Sequence, residues 1–412
     1  MTKTVGNKFP KRVMRKASLQ GKTVLLRADY NVPLEDGKIA DDYRIRASVP
    51  TVQKLLEYGC KVVIISHLGR PKGPESTECS LEPVALRLSE LLGMPVRFVD
   101  ECVGPKVKMA VKRAPAHSVT VLENLRFHPE EEANDPEFAA RLAHDTGASY
   151  FVQDGFGVVH RAHASTSAIT LCLPSVAGLL LEREYMAITG AMKHPKRPLL
   201  ALMGGAKVSD KIPIMKQLVR VADQIIIGGA MANTFLVYRG YSVGASKVEP
   251  DQGAVIDDIY DLARRKVGAE MVNNFLVLPT DVAVGAHIDD HARRRCVPVD
   301  QIPAESYVLD IGDASIERTV AAIGRSQTII WNGTFGVAEF DRFAHGSARI
   351  ALELAQHPEK QSIIGGGDTA GFVIQWDARH GESFSHVSTG GGAGLELMAG
   401  DKLPGIEALL DA

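Results

Sequence analysis

Gln361-Ser-Ile-Ile-Gly-Gly-Gly-Asp-Thr-Ala-Gly371 joins an apolar run to a glycine turn and a helical pattern. Residues 362–364 form a short apolar run of the kind a buried strand carries. Three glycines follow, then Asp368 and Thr369, then a helical pattern through Ala370, Phe372, Val373 and Trp376. Strand, glycine turn and helix together bring backbone N–H groups and a helix N-terminus up to a phosphate. A carboxylate there repels phosphate unless a cation sits between them, so Asp368 points to a metal-bound nucleotide. The same residue also reads as the N-cap of the helix after a tight turn.

The device recurs through the second half. Leu199–Met203 runs into Gly204-Gly205, Gln224–Ile227 into Gly228-Gly229, residues 328–331 into Asn332-Gly333, and residues 385–388 into Gly390-Gly391-Gly392. Absent side chains let the backbone approach a flat base or a phosphate closely. Within Gly204-Gly-Ala-Lys-Val-Ser-Asp-Lys-Ile212, two lysines stand four apart at a strand-to-helix turn. A helix starting near Val208 puts Lys211 on its first turn and Lys207 just ahead, both within reach of phosphate oxygens. Two solvated lysines are the plainer reading. No Gly-x4-Gly-Lys-[Ser/Thr] occurs, which excludes a P-loop. Gly365-Gly-Gly-Asp-Thr-Ala370 meets a loose G-x-G-x-x-A, but the first strand of a fold should carry that fingerprint. A ribose-binding acid should then follow about twenty residues later, and Glu382 is nearer than that.

The first half alternates strands with helices. Residues 24–26, 62–65, 96–99, 119–122 and 150–152 read as strands, and Pro33 with Asp36-Gly37 turns the chain after the first. A helical pattern runs through Val49, Val52, Leu55 and Leu56 to a Gly59 cap, and another covers 83–92. The β-branched run 62–65 suits a parallel strand covered on both faces. The fold class is therefore α/β, with two doubly wound, Rossmann-like parallel-sheet domains. A charged helical stretch ending at Pro195 and Pro198 reads as the connecting helix. The expected division is a domain over 1–184, a connector over 185–198, a domain over 199–394 and a last segment over 395–412.

Ligands of such sheets bind beyond the carboxyl ends of the strands. Standing there are Arg27, Asp29, Asn31, His67, Arg70, Arg126, His160, Arg161 and His163, with Arg44 between strand and helix. A cationic rim suits a small polyanion, although single arginines at such places are commonly solvated. His160 and His163 stand i,i+3, yet no Glu or Cys beside them completes a ligand set, so anion contact or a structural role outweighs metal. An anion-binding half and a nucleotide-binding half describe a two-substrate phosphotransferase, in which the protein mostly positions groups and neutralises charge.

Composition sets the outer bounds. At 412 residues the chain exceeds what one core usually supports. A formal net charge of −2 gives no case for nucleic acid or a membrane as partner. Cys60, Cys79, Cys102, Cys172 and Cys296 form no CxxC pair, which argues for free thiols in a reducing, cytoplasmic setting. The basic start, with Lys3, Lys8, Lys11, Arg12, Arg15 and Lys16, lacks the apolar core of a signal peptide. The longest apolar run, 169–181, is about half a membrane span and contains Pro174.

These motifs resemble one family, phosphoglycerate kinase. The resemblance rests on Arg27-Ala-Asp-Tyr-Asn-Val-Pro33, Ser66-His-Leu-Gly-Arg-Pro71, Glu123-Asn-Leu-Arg-Phe127, Asp154-Gly-Phe-Gly157 with His160-Arg-Ala-His163, and Gly204-Gly-Ala-Lys-Val-Ser-Asp-Lys211. Trp331-Asn-Gly333, Gly365-Gly-Gly-Asp-Thr369 and Val387-Ser-Thr-Gly-Gly-Gly392 extend it over nearly the whole chain. It implies a monomer that moves a phosphoryl group reversibly from 1,3-bisphosphoglycerate to ADP, giving 3-phosphoglycerate and ATP, with Mg²⁺ on the nucleotide. By the same resemblance, Asp29, Asn31, Arg44, His67, Leu68, Gly69, Arg70, Arg126 and Arg161 hold the glycerate substrate. Gly205, Lys211, Gly229, Asn332, Glu339, Gly366, Gly367, Asp368 and Thr369 serve the nucleotide, with Asp368 on Mg²⁺. Lys207 and Arg44 stabilise the phosphoryl group in flight, Gly390 to Gly392 add backbone donors, and Gly367 and Gly390 count with Lys207 and Arg44 as catalytic positions. Domain closure about the connector and a return of the last segment to the first domain are implied too. Some positions depart from the family pattern: Thr334, Phe335 and Ala338 after Trp331-Asn-Gly333, Asp313 and Ala314, and Gly394. All lie in the nucleotide half, where they bear on affinity and preference more than on the reaction.

Overall fold

In the computed structural model, which describes residues 8–73 and 76–412, alternation along each strand builds two cores on one sheet. Lys3 of the basic start lies outside the described residues. Val24, Leu26, Val62, Ile64, Val119 and Val121 pack on one face against Ile45, Val52, Leu55, Val84 and Leu88. Leu25, Val63, Ile65, Leu122 and Phe151 pack on the other against Val107, Val111, Phe138 and Leu142. A strand buried on both faces has no polar side, which is why 62–65 reads Val-Val-Ile-Ile. Each fully buried aliphatic contributes on the order of 1.5–3 kcal/mol.

This sheet runs Val96–Val99, Ser118–Leu122, Lys61–Ile65, Thr23–Arg27, Tyr150–Gln153, Ser175–Ala177. Every neighbouring pair is parallel, so all carboxyl ends open on one edge. Asp36 and Gly37, at φ 49° and 74°, join Leu34–Glu35 to Lys38–Ile39 in a two-residue hairpin of the kind Asp-Gly favours. The helix Tyr43–Glu57 buries Ile45, Ser48, Thr51, Val52 and Leu55. Val49 and Leu56, expected on that stripe, sit at its half-buried margin. Gly59 closes the helix at φ 73°, its N–H on Leu56 O at 2.8 Å and that of Cys60 on Leu55 O at 3.1 Å.

The chain divides into two compact units. One comprises the described residues through Met186 with Lys402–Ala412, the other Ala187–Asp401. The C-terminal residues join the first through Leu410 N–H to Ser175 O at 3.0 Å and Gly405 N–H to Val159 O at 2.8 Å. The long helix Leu179–Lys193 starts earlier than the expected connector. Its first N–H groups, from Leu180 and Leu181, donate to the buried Asp154 carboxylate at 2.9 and 3.3 Å. Burial pushes that carboxyl up to about 6.

The second unit carries a parallel sheet in the order Leu276–Val277, Gln224–Ile227, Leu199–Met203, Thr328–Asn332, Gln361–Gly365, His386–Val387. Because every pair is parallel, all five glycine turns fall on one edge. The last strand is shorter than the expected 385–388, and beside it Ser385 Oγ donates to Lys360 O at 2.7 Å. A three-stranded antiparallel sheet, Arg295–Pro298, Asp281–Gly285 and Tyr307–Ile311, adds to the doubly wound plan. Its core of Val282, Val284, Leu236, Val243, Val299 and Ile302 is separate and small.

Candidate active site

In the first unit, side-chain bonds tie the loops at the carboxyl edge into one surface. Gly69 N–H donates to Asn31 Oδ1 at 2.9 Å, Arg126 Nη1 to Gly69 O at 2.6 Å, and Asn124 Nδ2 to Leu68 O at 2.7 Å. Gly69, at φ 63°, has no room for a side chain, because a Cβ would fall 2.9 Å from Cys79 Sγ. Arg44 Nη1 donates to Asn31 O at 2.7 Å and lies 3.4 Å from Asp29 Oδ2. Asp29, Asn31, Arg44, His67, Leu68, Gly69 and Arg126 are thus one constellation. Arg70 and Arg161 are exposed beside it. Burial lowers the Arg126 guanidinium below its ordinary value, and Arg161 and Arg70 press it lower against the pull of Glu132. Mutually opposed cations of this kind are relieved by an anion.

Arg27 corrects the expected rim. It is 1% exposed, ends a strand buried on both faces and lies beneath the rim. Its Nε donates to Ser165 Oγ at 2.7 Å and Nη1 donates to Ala28 O. His163 also turns inward, with Nδ1 3.8 Å from Glu131 Oε1, and burial with Arg27 pushes it down to about 4. His160 Nε2 accepts from Arg161 Nε at 3.1 Å. Among the described residues no group of three or more His, Cys, Asp or Glu could hold a metal.

In the second unit the glycine turns pack backbone on backbone. Gly205 N–H donates to Thr334 O at 2.9 Å and Gly229 N–H to Phe335 O at 3.1 Å. A Cβ on Gly333, which sits at φ 92°, would fall 2.2 Å from Gly204 C. These turns wall a cleft of about 190 Å³, lined also by Pro279, Val308 and Val337 and by Asn233, Asp310, Glu339 and Asp368. Thin backbone, aliphatic walls and a few polar groups suit a flat ring with a charged tail.

Lys211 stands at this edge. A 3-10 turn, Ser209–Lys211, precedes the helix Ile212–Val221, so the helix starts later than expected and Lys211 is its N-cap. Pro213 favours that start, and Glu249 takes the N–H groups of Val208 and Ser209 at 2.7 and 3.1 Å. Lys211 Nζ donates to Asn332 Oδ1 at 2.5 Å. Burial pushes its ammonium down to about 8, with Asp368 and Asp210 pulling it back. Asn332 is 1% exposed, and its Nδ2 has no partner among the described residues. That donor lies 3.1 Å from where a Gly366 Cβ would stand, so it faces the next glycine turn. Lys207 is exposed just before Lys211.

Asp368 is not a cap. Gly366, at φ 91°, is the N-cap of the helix Gly367–Trp376, no side chain caps it, and Asp368 is exposed in the first turn. Thr369 is fully buried and its Oγ1 accepts from Gly333 N–H at 2.7 Å. Gly390 N–H donates to Ser388 Oγ at 3.0 Å. At the start of the helix Gly392–Ala399, Ala393 N–H donates to Gly390 O at 2.9 Å.

The departing positions are absorbed by the framework. Thr334 meets Gly205 through its carbonyl, which any residue supplies. Phe335 is fully buried, its ring against Gly228. Asp313 pairs with Arg294 at 2.8 Å. The reading of the sequence missed Asn233 and Asp310 as parts of the cleft. Asn233 is 1% exposed, and Asp310 is pushed up to about 7 by burial while holding Gly346 N–H at 2.9 Å. The helix opening at Gly229 was the available signal for Asn233; Asp310 lies on the unforeseen antiparallel sheet.

The family model described as phosphoglycerate kinase matches residues 14–401. The chain is 46% identical over 402 residues to the phosphoglycerate kinase of Pelotomaculum thermopropionicum, covering 97% of this chain and 99% of that protein. It is 47% identical over 399 residues to the chloroplastic phosphoglycerate kinase of Volvox carteri, covering 96% of this chain and 84% of that protein. The solved structure of phosphoglycerate kinase from Coxiella burnetii matches with a TM-score of 0.82 at 35% identity, covering 97% of this chain and 98% of that one. The chain belongs to the phosphoglycerate kinase family, whose reaction is reversible phosphoryl transfer between 1,3-bisphosphoglycerate and ADP.

Proposed function

We propose that the rim of the first unit binds the glycerate substrate and the glycine-walled cleft of the second binds the nucleotide, with the work divided residue by residue. Asn31, Arg44, His67, Arg70, Arg126 and Arg161 hold the phosphate and carboxylate of 3-phosphoglycerate; Asp29 sets the Arg44 side chain from 3.4 Å. Leu68 and Gly69 fix the loop through their backbone. Lys211, Asn332 Nδ2 and the opening N–H groups of Gly367, Asp368 and Thr369 take the nucleotide phosphates, while Gly205, Gly229 and Glu339 border the rest of the cleft. Lys207 and Arg44 stabilise charge on the group in transfer.

The observation that carries this reading is the Lys211–Asn332 pair. A half-buried cation and a buried, unpartnered amide donor stand together beside a glycine turn, an arrangement that costs stability until an anion completes it. Asp368 fits Mg²⁺, since an exposed carboxylate on the cleft is the single protein ligand that Mg²⁺ carried by nucleotide phosphates needs. When bound, the ion would neutralise charge on the phosphate oxygens as the phosphoryl group passes from the leaving to the attacking oxygen. The reading extends to a cytoplasmic monomer, in keeping with five unpaired cysteines.

A coupled assay with 3-phosphoglycerate, MgATP and an acyl-phosphate trap tests it. Turnover that vanishes on chelation of Mg²⁺ is expected, and Asp368→Asn should raise the Mg²⁺ requirement. Unchanged Mg²⁺ dependence in that variant would remove Asp368 from the metal.

A further inference from the structure

Arg27 lies under the proposed glycerate site and is committed on both sides. A guanidinium can only donate hydrogen bonds. Its Nε donates to Ser165 Oγ at 2.7 Å. The Ser165 hydroxyl in turn donates to Glu131 Oε1 at 2.6 Å, and Ser165 N–H donates to Glu131 Oε2 at 2.9 Å. Glu131 is 1% exposed and lies 4.0 Å from Arg27 Nη2, so the buried cation has a buried countercharge that fixes it.

On its other side, Arg27 Nη2 stands 3.3 Å from His67 Nδ1. A partner that only donates requires Nδ1 to accept, and a neutral imidazole then carries its single proton on Nε2. The opposite tautomer would set two N–H groups against each other. Asp29 Oδ1, 3.9 Å from Nδ1, is too distant to accept in compensation. The charged groups around the ring are Arg27, Arg126 and Arg44, with Asp29 the opposing carboxylate, and the titratable His163 also faces it. Burial first, then the guanidinium groups of Arg27, Arg126 and Arg44, keeps the ring from charging. Among the described residues no protein group takes a hydrogen bond from Nε2.

We propose that Arg27 is a positioning residue, which does not touch substrate but holds His67 with Nδ1 as acceptor, so that Nε2–H stands as a fixed, uncharged donor to the anionic substrate. Glu131 and Ser165 hold Arg27 in turn. This rests on the assignment of His67 to the glycerate site.

The test is the ¹⁵N signature of His67 in the full-length protein, with a 3-phosphoglycerate titration. A neutral Nε2–H ring that does not titrate between pH 6 and 8, and whose signals shift on binding, is expected. An Nδ1–H ring that shifts on binding overturns the role of Arg27 alone. An Nε2–H ring indifferent to saturating 3-phosphoglycerate overturns the placement of His67 at the substrate. In kinetics, Arg27→Met should raise KM for 3-phosphoglycerate by on the order of tenfold or more and make it pH-dependent, with Arg27→Lys recovering part of the loss. Should Arg27→Met not fold, His67→Gln and His67→Asn decide: Gln places its amide N–H where Nε2–H stands and should keep KM closer to normal than Asn. The reverse order contradicts the assignment.

Discussion

Lys211 shows how one buried side chain makes a testable link between burial and binding. Its ammonium, pushed down to about 8 by desolvation, is charged below that pH and neutral above it. Only the charged form attracts phosphate, and a bound phosphate raises the pKa again. Nucleotide affinity should therefore be flat below about pH 8 and weaken as pH rises through it, while Lys211→Met should bind more weakly and lose that inflection. Isothermal titration with MgADP from pH 6.5 to 9.5 measures both. At this scale the sequence was legible where the backbone sets a residue's place. Lys207, Lys211 and Asp368 follow a strand and a glycine turn, and the parallel sheet carries them to the edge. It was not legible where long-range partners decide. Arg27 is drawn under the rim by Ser165, which lies 138 positions away.

Among the elements, the glycine turns are the most demanding of the sequence. Gly333 combines φ 92° with a backbone neighbour 2.2 Å from any added Cβ. Gly333→Ala should cost at least about 1–3 kcal/mol from conformation alone, and roughly 2–4 °C in Tm for each kcal/mol in a unit of this size. Thermal unfolding followed by circular dichroism gives the shift. A Tm within one degree of the parent would mean that the turns are not packed as described. By contrast, Gly367 has nothing within 4 Å of an added Cβ, so Gly367→Ala should leave Tm nearly unchanged. Strand positions were readable because aliphatic runs between glycines admit few alternatives. The antiparallel strands were not, since Arg295–Pro298 reads Arg-Cys-Val-Pro and is mostly half-buried or exposed. The start of the helix after Lys207 was misjudged because Glu249, 41 residues from Val208, caps the preceding turn.

For the whole molecule, the assignment places each substrate on its own unit. Hydrogen exchange should then show MgADP protecting the turns at 204–211, 332–334 and 365–369, and 3-phosphoglycerate protecting the loops at 28–31, 66–70 and 124–127. Protection of one unit by both ligands alone would contradict that division. Transfer between the two substrates further calls for the units to approach during turnover, so the scattering profile with both ligands should be more compact than without. Identical profiles would remove closure from the mechanism. On the proposed mechanism, charge neutralisation at the phosphoryl group, by Lys207 above all, makes the reaction fast. Steady-state kinetics of Lys207→Ala in the coupled assay should then show kcat falling roughly 100- to 1,000-fold with a smaller change in either KM, whereas full kcat in that variant would remove Lys207 from the mechanism.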